Sequence, residues 1–261
     1  MFALALAGCG FQVAGGAPVG GDADALTDAA SDAAIDATPD AAVARFCPVT
    51  DTLRVCFSFD PSPLPATLPN EGAATLDAAL TSITRIPRSA TSGAAQFGAT
   101  SGISMPMNAG VTGILTSEVW FRIDSMPATN GGRQGLFDSN TTQNISLFVY
   151  RADPNHSLRC GMGDQTEVFQ TSVSSAAWHY AVCTCENNAM SVYLDGARVG
   201  PARPGSCGTG AFLRDGFTIG SDNGGNATVP GDRIIGAIDG VRLWSVARTD
   251  VEIGATAASG I

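Results

Sequence analysis

Few residues in this sequence are of the kind that do chemistry. There are five glutamates, Glu71, Glu118, Glu167, Glu186 and Glu252, and two histidines, His156 and His179. Hydrolysis of a glycosidic bond needs two carboxyl groups flanking it, about 5–5.5 Å apart for retention and about 6.5–9.5 Å for inversion. Glu118 lies next but one to Trp120 inside an alternating run, where a structural role is expected. A serine nucleophile would sit in a Gly-x-Ser-x-Gly elbow, and the sequence has none. Enzymatic activity is therefore not expected. The seven cysteines are more informative. With Cys9 set aside, Cys47, Cys56, Cys160, Cys183, Cys185 and Cys207 remain, enough for three disulfides in an oxidising compartment. Cys183-x-Cys185 could hold zinc, but no second cysteine pair or histidine cluster lies near it, so disulfides are expected. Cys47 and Cys56 suit a local loop. Cys183 and Cys185 share one strand face, with Cys160 on the preceding strand and Cys207 beyond the following one, so the expected pairs are Cys160–Cys183 and Cys185–Cys207.

Cys9 has a separate explanation. Met1 to Ala7 is apolar and runs into Leu6-Ala7-Gly8-Cys9, which resembles the bacterial lipobox, where the Cys thiol is diacylglycerylated and the cysteine becomes the new N-terminus. The alternative is an ordinary secretory signal with a free thiol; no Lys or Arg precedes the apolar run, which is also short for a signal. From Gly10 to Arg45 the chain is rich in Ala, Gly and Asp. Asp24, Asp28, Asp32, Asp36 and Asp40 recur at every fourth position, so on a helix they would stack as like charges. With almost no large side chains to bury, residues 10–45 are predicted to be a disordered tether rather than an Ala-rich helix. As a coil it would span roughly 30–36 Å, and fully extended about 120 Å.

The rest of the chain must supply the structure. The whole chain has 261 residues and a formal charge of −10, and all 14 basic residues are Arg. An acidic chain without basic clusters argues against nucleic acid and against electrostatic docking on anionic lipid. From Phe46 onward, alternating runs arrive about every 10 residues with turn residues between them, as in a β-sandwich. Leu53 to Asp60 is one such run. Leu115 to Ile123 is the clearest: Leu115, Ser117, Val119, Phe121 and Ile123 share one parity, while Trp120 and Arg122 take the other. Trp178 to Gly200 reads as a hairpin turning at Glu186-Asn187-Asn188-Ala189, then a second reversal at Asp195-Gly196. Pro61 to Pro69 reads as a proline-rich excursion. Leu53–Asp60 and Gly236–Trp244 are expected to pair, and Thr249-Asp250-x-Glu252 to start a short helix.

Five segments carry a resemblance: SEVWFRID at 117–124, WHYAV at 178–182, MSVYLDGARVG at 190–200, FTIGSD at 217–222 and IGAIDGVRLWSVARTDVEI at 235–253. In this order they resemble the laminin-G-like, concanavalin A-like jelly-roll family over roughly residues 50 to 255. The resemblance implies an all-β, two-sheet antiparallel jelly-roll sandwich, here residues 46–261 after the tether. Retaining hydrolases of this fold carry Glu-x-Asp-x-x-Glu on one strand; no glutamate here has that spacing, and Trp120 stands where the Asp would follow Glu118. His179 occupies the family's Trp-His position, where a structural role is implied. The family also implies one structural Ca²⁺, whose ligands would be Asp60 and Asp239 with backbone carbonyls and water completing the shell. The alternative is that Asp239 caps turns or pairs with Arg242. Ser221 to Asn226 is a second oxygen-rich candidate, or simply a solvated loop. Sugar recognition would use exposed aromatic rings, but Trp120, Trp178 and Trp244 lie in strand patterns and are expected in the core. Tyr150 and Tyr193 remain open. The expected protein is thus a non-catalytic cell-envelope lipoprotein, lipid-anchored to the outer membrane through Cys9 and binding a glycan or surface protein. The alternatives are a structural or adhesion module and, last, a glycoside hydrolase.

Overall fold

The computed structural model describes residues 46–89, 92–106, 111–139, 144–207, 216–222 and 232–260. Cys9, the tether and residues 223–226 of the Gly-rich loop lie outside these. In chain order the strands are β1 (Leu53–Ser58), β2 (Thr67–Pro69), β3 (Asp77–Thr81), β4 (Thr84–Pro87), β5 (Gly93–Phe97) and β6 (Gly102–Met105). Next come β7 (Thr116–Ile123), β8 (Arg133–Asp138), β9 (Asn144–Ala152), β10 (Asn155–Gly163), β11 (Gln165–Phe169) and β12 (Trp178–Glu186). The last are β13 (Ala189–Leu194), β14 (Ala197–Arg198), β15 (Arg203–Pro204), β16 (Phe217–Ile219) and β17 (Gly236–Trp244), followed by helix α1 (Asp250–Ser259).

The strands form two antiparallel sheets. The nine-stranded sheet runs β14-β13-β12-β7-β17-β5-β4, with β1 also on β17 and β15 on β13; the eight-stranded sheet runs β11-β10-β9-β8-β16-β6-β3-β2. The predicted pairing of first and last strands is present: Phe57 opposes Val241 and Ser58 opposes Gly240. The predicted hairpin is also present, with Asn187 and Asn188 at φ 51° and 58°, the left-handed pair that a two-residue turn between right-twisted strands requires. Asp195 and Gly196 repeat it at φ 52° and 83°. One expected strand is trimmed: Leu53–Asp60 stops at Ser58. The proline-rich excursion contains β2, and β3 and β4 arise where no strand was expected.

Alternation along each strand divides two apolar clusters. Val119, Phe121 and Ile123 of β7 meet Leu147 and Val149 of β9 in the core between the sheets. Trp120, Tyr180 and Trp244 project from the other face of the nine-stranded sheet, where Phe46 and Ile253 of α1 cover them. Two of the three tryptophans are therefore buried, but outside the inter-sheet core. Trp120 and Tyr180 stack with centroids 4.0 Å apart, and Phe46 meets Trp120 edge-on at 5.2 Å. Gly240 makes room for this, because a Cβ there would lie 2.0 Å from the Phe46 ring. Helix α1 begins with the predicted capping box: Glu252 donates its backbone N–H to Thr249 Oγ1 at 3.3 Å and accepts from Thr249 N at 2.8 Å.

Three disulfides join the expected partners: Cys47–Cys56, Cys160–Cys183 and Cys185–Cys207.

Candidate functional site

The outer face of the nine-stranded sheet is occupied by α1 and the Phe46 segment. The outer face of the eight-stranded sheet instead concentrates charged, aromatic and buried polar side chains. On β9, Ile145, Leu147 and Val149 point into the core, so Ser146, Phe148 and Tyr150 point out. On β10, Leu158, Cys160 and Met162 point in, which turns Arg159 outward beside Phe148. On β8, Arg133 opposes Tyr150 and Asp138 opposes Ser146. Arg133 and Asp138 are five positions apart and would face opposite ways on a regular strand. The ladder shifts between Gly135 and Phe137, and this bulge puts both on the outer face.

Gly135 lets the chain close over this strand. A Cβ there would lie 2.3 Å from the Ser221 carbonyl carbon. Gly135 N donates to Asp232 O at 2.8 Å, and Gly135 forms a bridge with Arg233. The segments so placed bring two carboxylates to Arg133: Asp222 pairs with its guanidinium and Asp232 Oδ2 accepts from Nε at 2.5 Å. Burial works against the Arg133 charge, but Asp232, Asp222 and Asp138 outweigh it and hold its pKa above the ordinary value. The guanidinium carbons of Arg133 and Arg159 lie 5.1 and 5.6 Å from the centroid of one ring, Phe148. Asp138, Ser146, Thr218 and Asp222 are all buried here. Thr218 Oγ1 donates toward Asp138 O and Ser221 O at 3.3 and 3.0 Å. Polar groups are costly to bury unless hydrogen-bonded, so this polar floor is an organised feature. Tyr150 and Arg159 stand half-buried at its edge.

The other chemistry-bearing residues are placed differently. Glu118 is fully buried and holds two cations, Arg242 Nη1 at 3.3 Å and the Arg248 guanidinium. It is committed to a structural pair. His179 lies between Asp195 and Ser174, with Nδ1 to Asp195 Oδ2 at 2.8 Å and Ser174 Oγ to Nε2 at 2.9 Å. The order Ser-His-Asp matches a hydrolase triad, but such a triad needs amide donors aimed at a developing oxyanion. Here Ser174 N is directed at the imidazole at 3.3 Å and Ala176 N is spent on Ile123 O at 2.7 Å. Asp195 also accepts Tyr180 N at 2.8 Å, so the trio clasps a loop and a turn to β12.

Trp178, expected in the core, is instead half-buried at a small cavity of about 120 Å³, with Arg88 and Arg122 at 5.2 and 5.6 Å from its ring. The core expectation fails because this first residue of β12 lies beyond the cover that α1 gives Trp120 and Trp244. A larger cavity of about 410 Å³ lies between β13 and the start of α1. At its wall Tyr193 donates to Asp250 at 2.5 Å, and burial and that carboxylate push its pKa up to about 12.

The two residues implied as Ca²⁺ ligands are electrostatic neighbours, since Asp60 raises the pKa of Asp239 after burial and against Arg88. Asp239 is the bulged residue of β17 and pairs with Arg88, not Arg242. Asp60 Oδ1 accepts Gly93 N at 3.0 Å and its carbonyl accepts Arg85 Nε at 3.2 Å. With Arg88 in place the pair does not fit a divalent cation, and among the described residues no group of three or more acids, histidines or cysteines could hold one.

A model of the concanavalin A-like lectin/glucanases superfamily matches residues 97–254. No curated protein matches the chain. Domain 4 of an extracellular family-43 arabinanase from Geobacillus stearothermophilus, solved with arabinotriose, superposes with a TM-score of 0.56 at 16% identity, covering 79% of this chain and 98% of that one. The binding domain of Paraclostridial Mosquitocidal Protein 1 gives 0.59 at 13%, covering 80% and 52%. Trypanosoma rangeli sialidase in complex with sialic acid gives 0.58 at 16%, and there 82% of this chain corresponds to only 34% of the enzyme. These identities carry the fold and nothing finer.

Proposed function

We propose that this chain, which belongs to the concanavalin A-like lectin/glucanases superfamily, is a non-catalytic module that binds a glycan on the outer face of its eight-stranded sheet. The observation that carries the reading is the convergence there of half-buried Tyr150, two guanidiniums over Phe148, and a buried polar floor. Aromatic surface for sugar ring faces and fixed polar groups for hydroxyls are what carbohydrate recognition needs. Two relatives in fold support it: one is a binding domain of a toxin, and the other was solved with arabinotriose. The three disulfides favour an oxidising, extracytoplasmic compartment. Attachment through acylated Cys9 is part of the proposal; Cys9→Ser should release the protein from the membrane pellet. The absence of catalysis is proposed because Glu118 is locked between two arginines and the Ser174-His179-Asp195 trio has its nearby amides spent. A structural Ca²⁺ at Asp60 and Asp239 is a proposal of the resemblance alone and requires Arg88 to leave Asp239.

Affinity electrophoresis of the full chain against a panel of soluble polysaccharides tests the reading. At least one should retard it, and Tyr150→Ala should weaken that binding about tenfold, the scale of one lost aromatic contact of about 1.4 kcal/mol. A panel that never retards the protein, or reproducible hydrolysis of one of its members, overturns the proposal.

A further inference from the structure

Arg133 and Arg159 share the Phe148 ring but differ in their partners. Arg133 is neutralised by Asp222 and Asp232. Among the described residues no carboxylate is paired with Arg159, and its guanidinium donates no hydrogen bond. Its charge is nonetheless half-buried. Burial and then the neighbouring Arg133 lower its pKa, against weaker opposing contributions from Tyr150, Asp138 and Asp222.

This is an unfavourable arrangement for a cation in a chain that carries a formal charge of −10 and could have supplied an acid partner. Three features preorganise it for a ligand. Stacking on Phe148 restrains the guanidinium plane. Its backbone is fixed in the middle of β10, with Phe148 on one side and Val168 on the other. Arg133, already neutralised, keeps the nearby carboxylates Asp222 and Asp232 engaged.

We propose that Arg159 receives the carboxylate of a uronic-acid residue, so that the bound glycan is acidic; this rests on the reading of the face as a glycan site. The planar fork of N–H donors matches a carboxylate bidentately, with Tyr150 beside it for the sugar ring. A neutral sugar would leave the half-buried charge unmatched.

The test uses the full chain and four probes: polygalacturonate, its fully methyl-esterified form, neutral galactan and dextran sulfate. The expected result is at least about tenfold tighter binding to polygalacturonate than to the ester or to galactan, weakened by salt. Arg159→Gln should abolish that preference without lowering the thermal midpoint, and Arg159→Lys should keep part of it. Equal binding of neutral and acidic probes, insensitive to Arg159→Gln, overturns the inference and leaves the glycan reading standing. Dextran sulfate binding as tightly as polygalacturonate overturns the carboxylate assignment. Failure of all four, with the wider panel also silent, overturns both.

Discussion

Cys160 and Cys183 tie the two sheets together through the core, the first on β10 of the eight-stranded sheet and the second on β12 of the nine-stranded sheet. The bridge closes a sequence separation of 23 residues, for which the loss of unfolded-chain entropy is worth about 3 kcal/mol. The Cys160→Ala/Cys183→Ala double variant should lose about that much in urea denaturation. The Cys47–Cys56 pair spans only 9 residues, so its removal should cost less. Equal losses from the two would show that loop closure is not what sets the effect.

Glu118 is the only carboxylate between Arg242 and Arg248 among the described residues. Glu118→Gln strands two cations under α1, where breaking a buried pair costs about 3–5 kcal/mol. Asp124→Asn breaks the half-exposed Arg122–Asp124 pair and should cost about 1 kcal/mol or less. Chemical denaturation of both variants checks the contrast, which a small loss for Glu118→Gln would remove.

The His179–Asp195 pair should make stability depend on pH. The hydrogen bond that His179 Nδ1 donates to Asp195 raises the His179 pKa against burial. Burial pushes Asp195 up, but His179 and the Tyr180 amide outweigh it and leave its pKa lowered. A raised histidine stabilises fully below its unfolded pKa of about 6.5, and the contribution fades as pH rises through the folded value. A lowered aspartate stabilises above its unfolded pKa of about 3.9 and fades as pH falls through the folded value. The stability gap between wild type and Asp195→Asn should therefore be widest near mildly acidic pH and narrow toward alkaline pH. A gap that stays constant across that range contradicts the pairing.

Arg88 occupies the carboxylate that a Ca²⁺ would need. Thermal unfolding of the wild type should be the same in excess Ca²⁺ and in chelator, because an ion that binds only the folded state must raise its midpoint. A rise specific to Ca²⁺ would mean that Arg88 yields to the ion. Arg88→Ala, with Asp239 uncovered, is the variant in which such a rise should first appear.

Much of the architecture was legible because its signals are local. The parity of Leu115 to Ile123, the paired asparagines at the hairpin, Asp195-Gly196 and the Thr249 capping box each depend on neighbours in sequence. β2, β3 and β4 were missed because they are short, largely exposed and close to sheet edges, so little apolar alternation marks them. The tryptophans were misplaced for a different reason. Alternation shows that Trp120 and Trp244 are covered, but it cannot show that a helix and the Phe46 segment do the covering. Of the candidate face, only Tyr150 and the Ser221 to Asn226 stretch with Asp222 were legible, and nothing in the sequence joined them. Its arginines and acids come from β8, β10 and the segments at 222 and 232, and their common orientation depends on a bulge that parity counting from Arg133 to Asp138 gets backwards.

The unpaired residue in β8 has an evolutionary consequence. Losing the codon for Leu136 would join Gly135 to Phe137 in a regular ladder, with Arg133 still opposite Tyr150 and Asp138 still opposite Ser146. Re-gaining one codon would restore the bulge without turning either charge inward. A length change of one residue at this point is therefore absorbed where it occurs, and among related sandwiches the charge pattern of this surface should survive indels at the bulge and change with substitutions beside it.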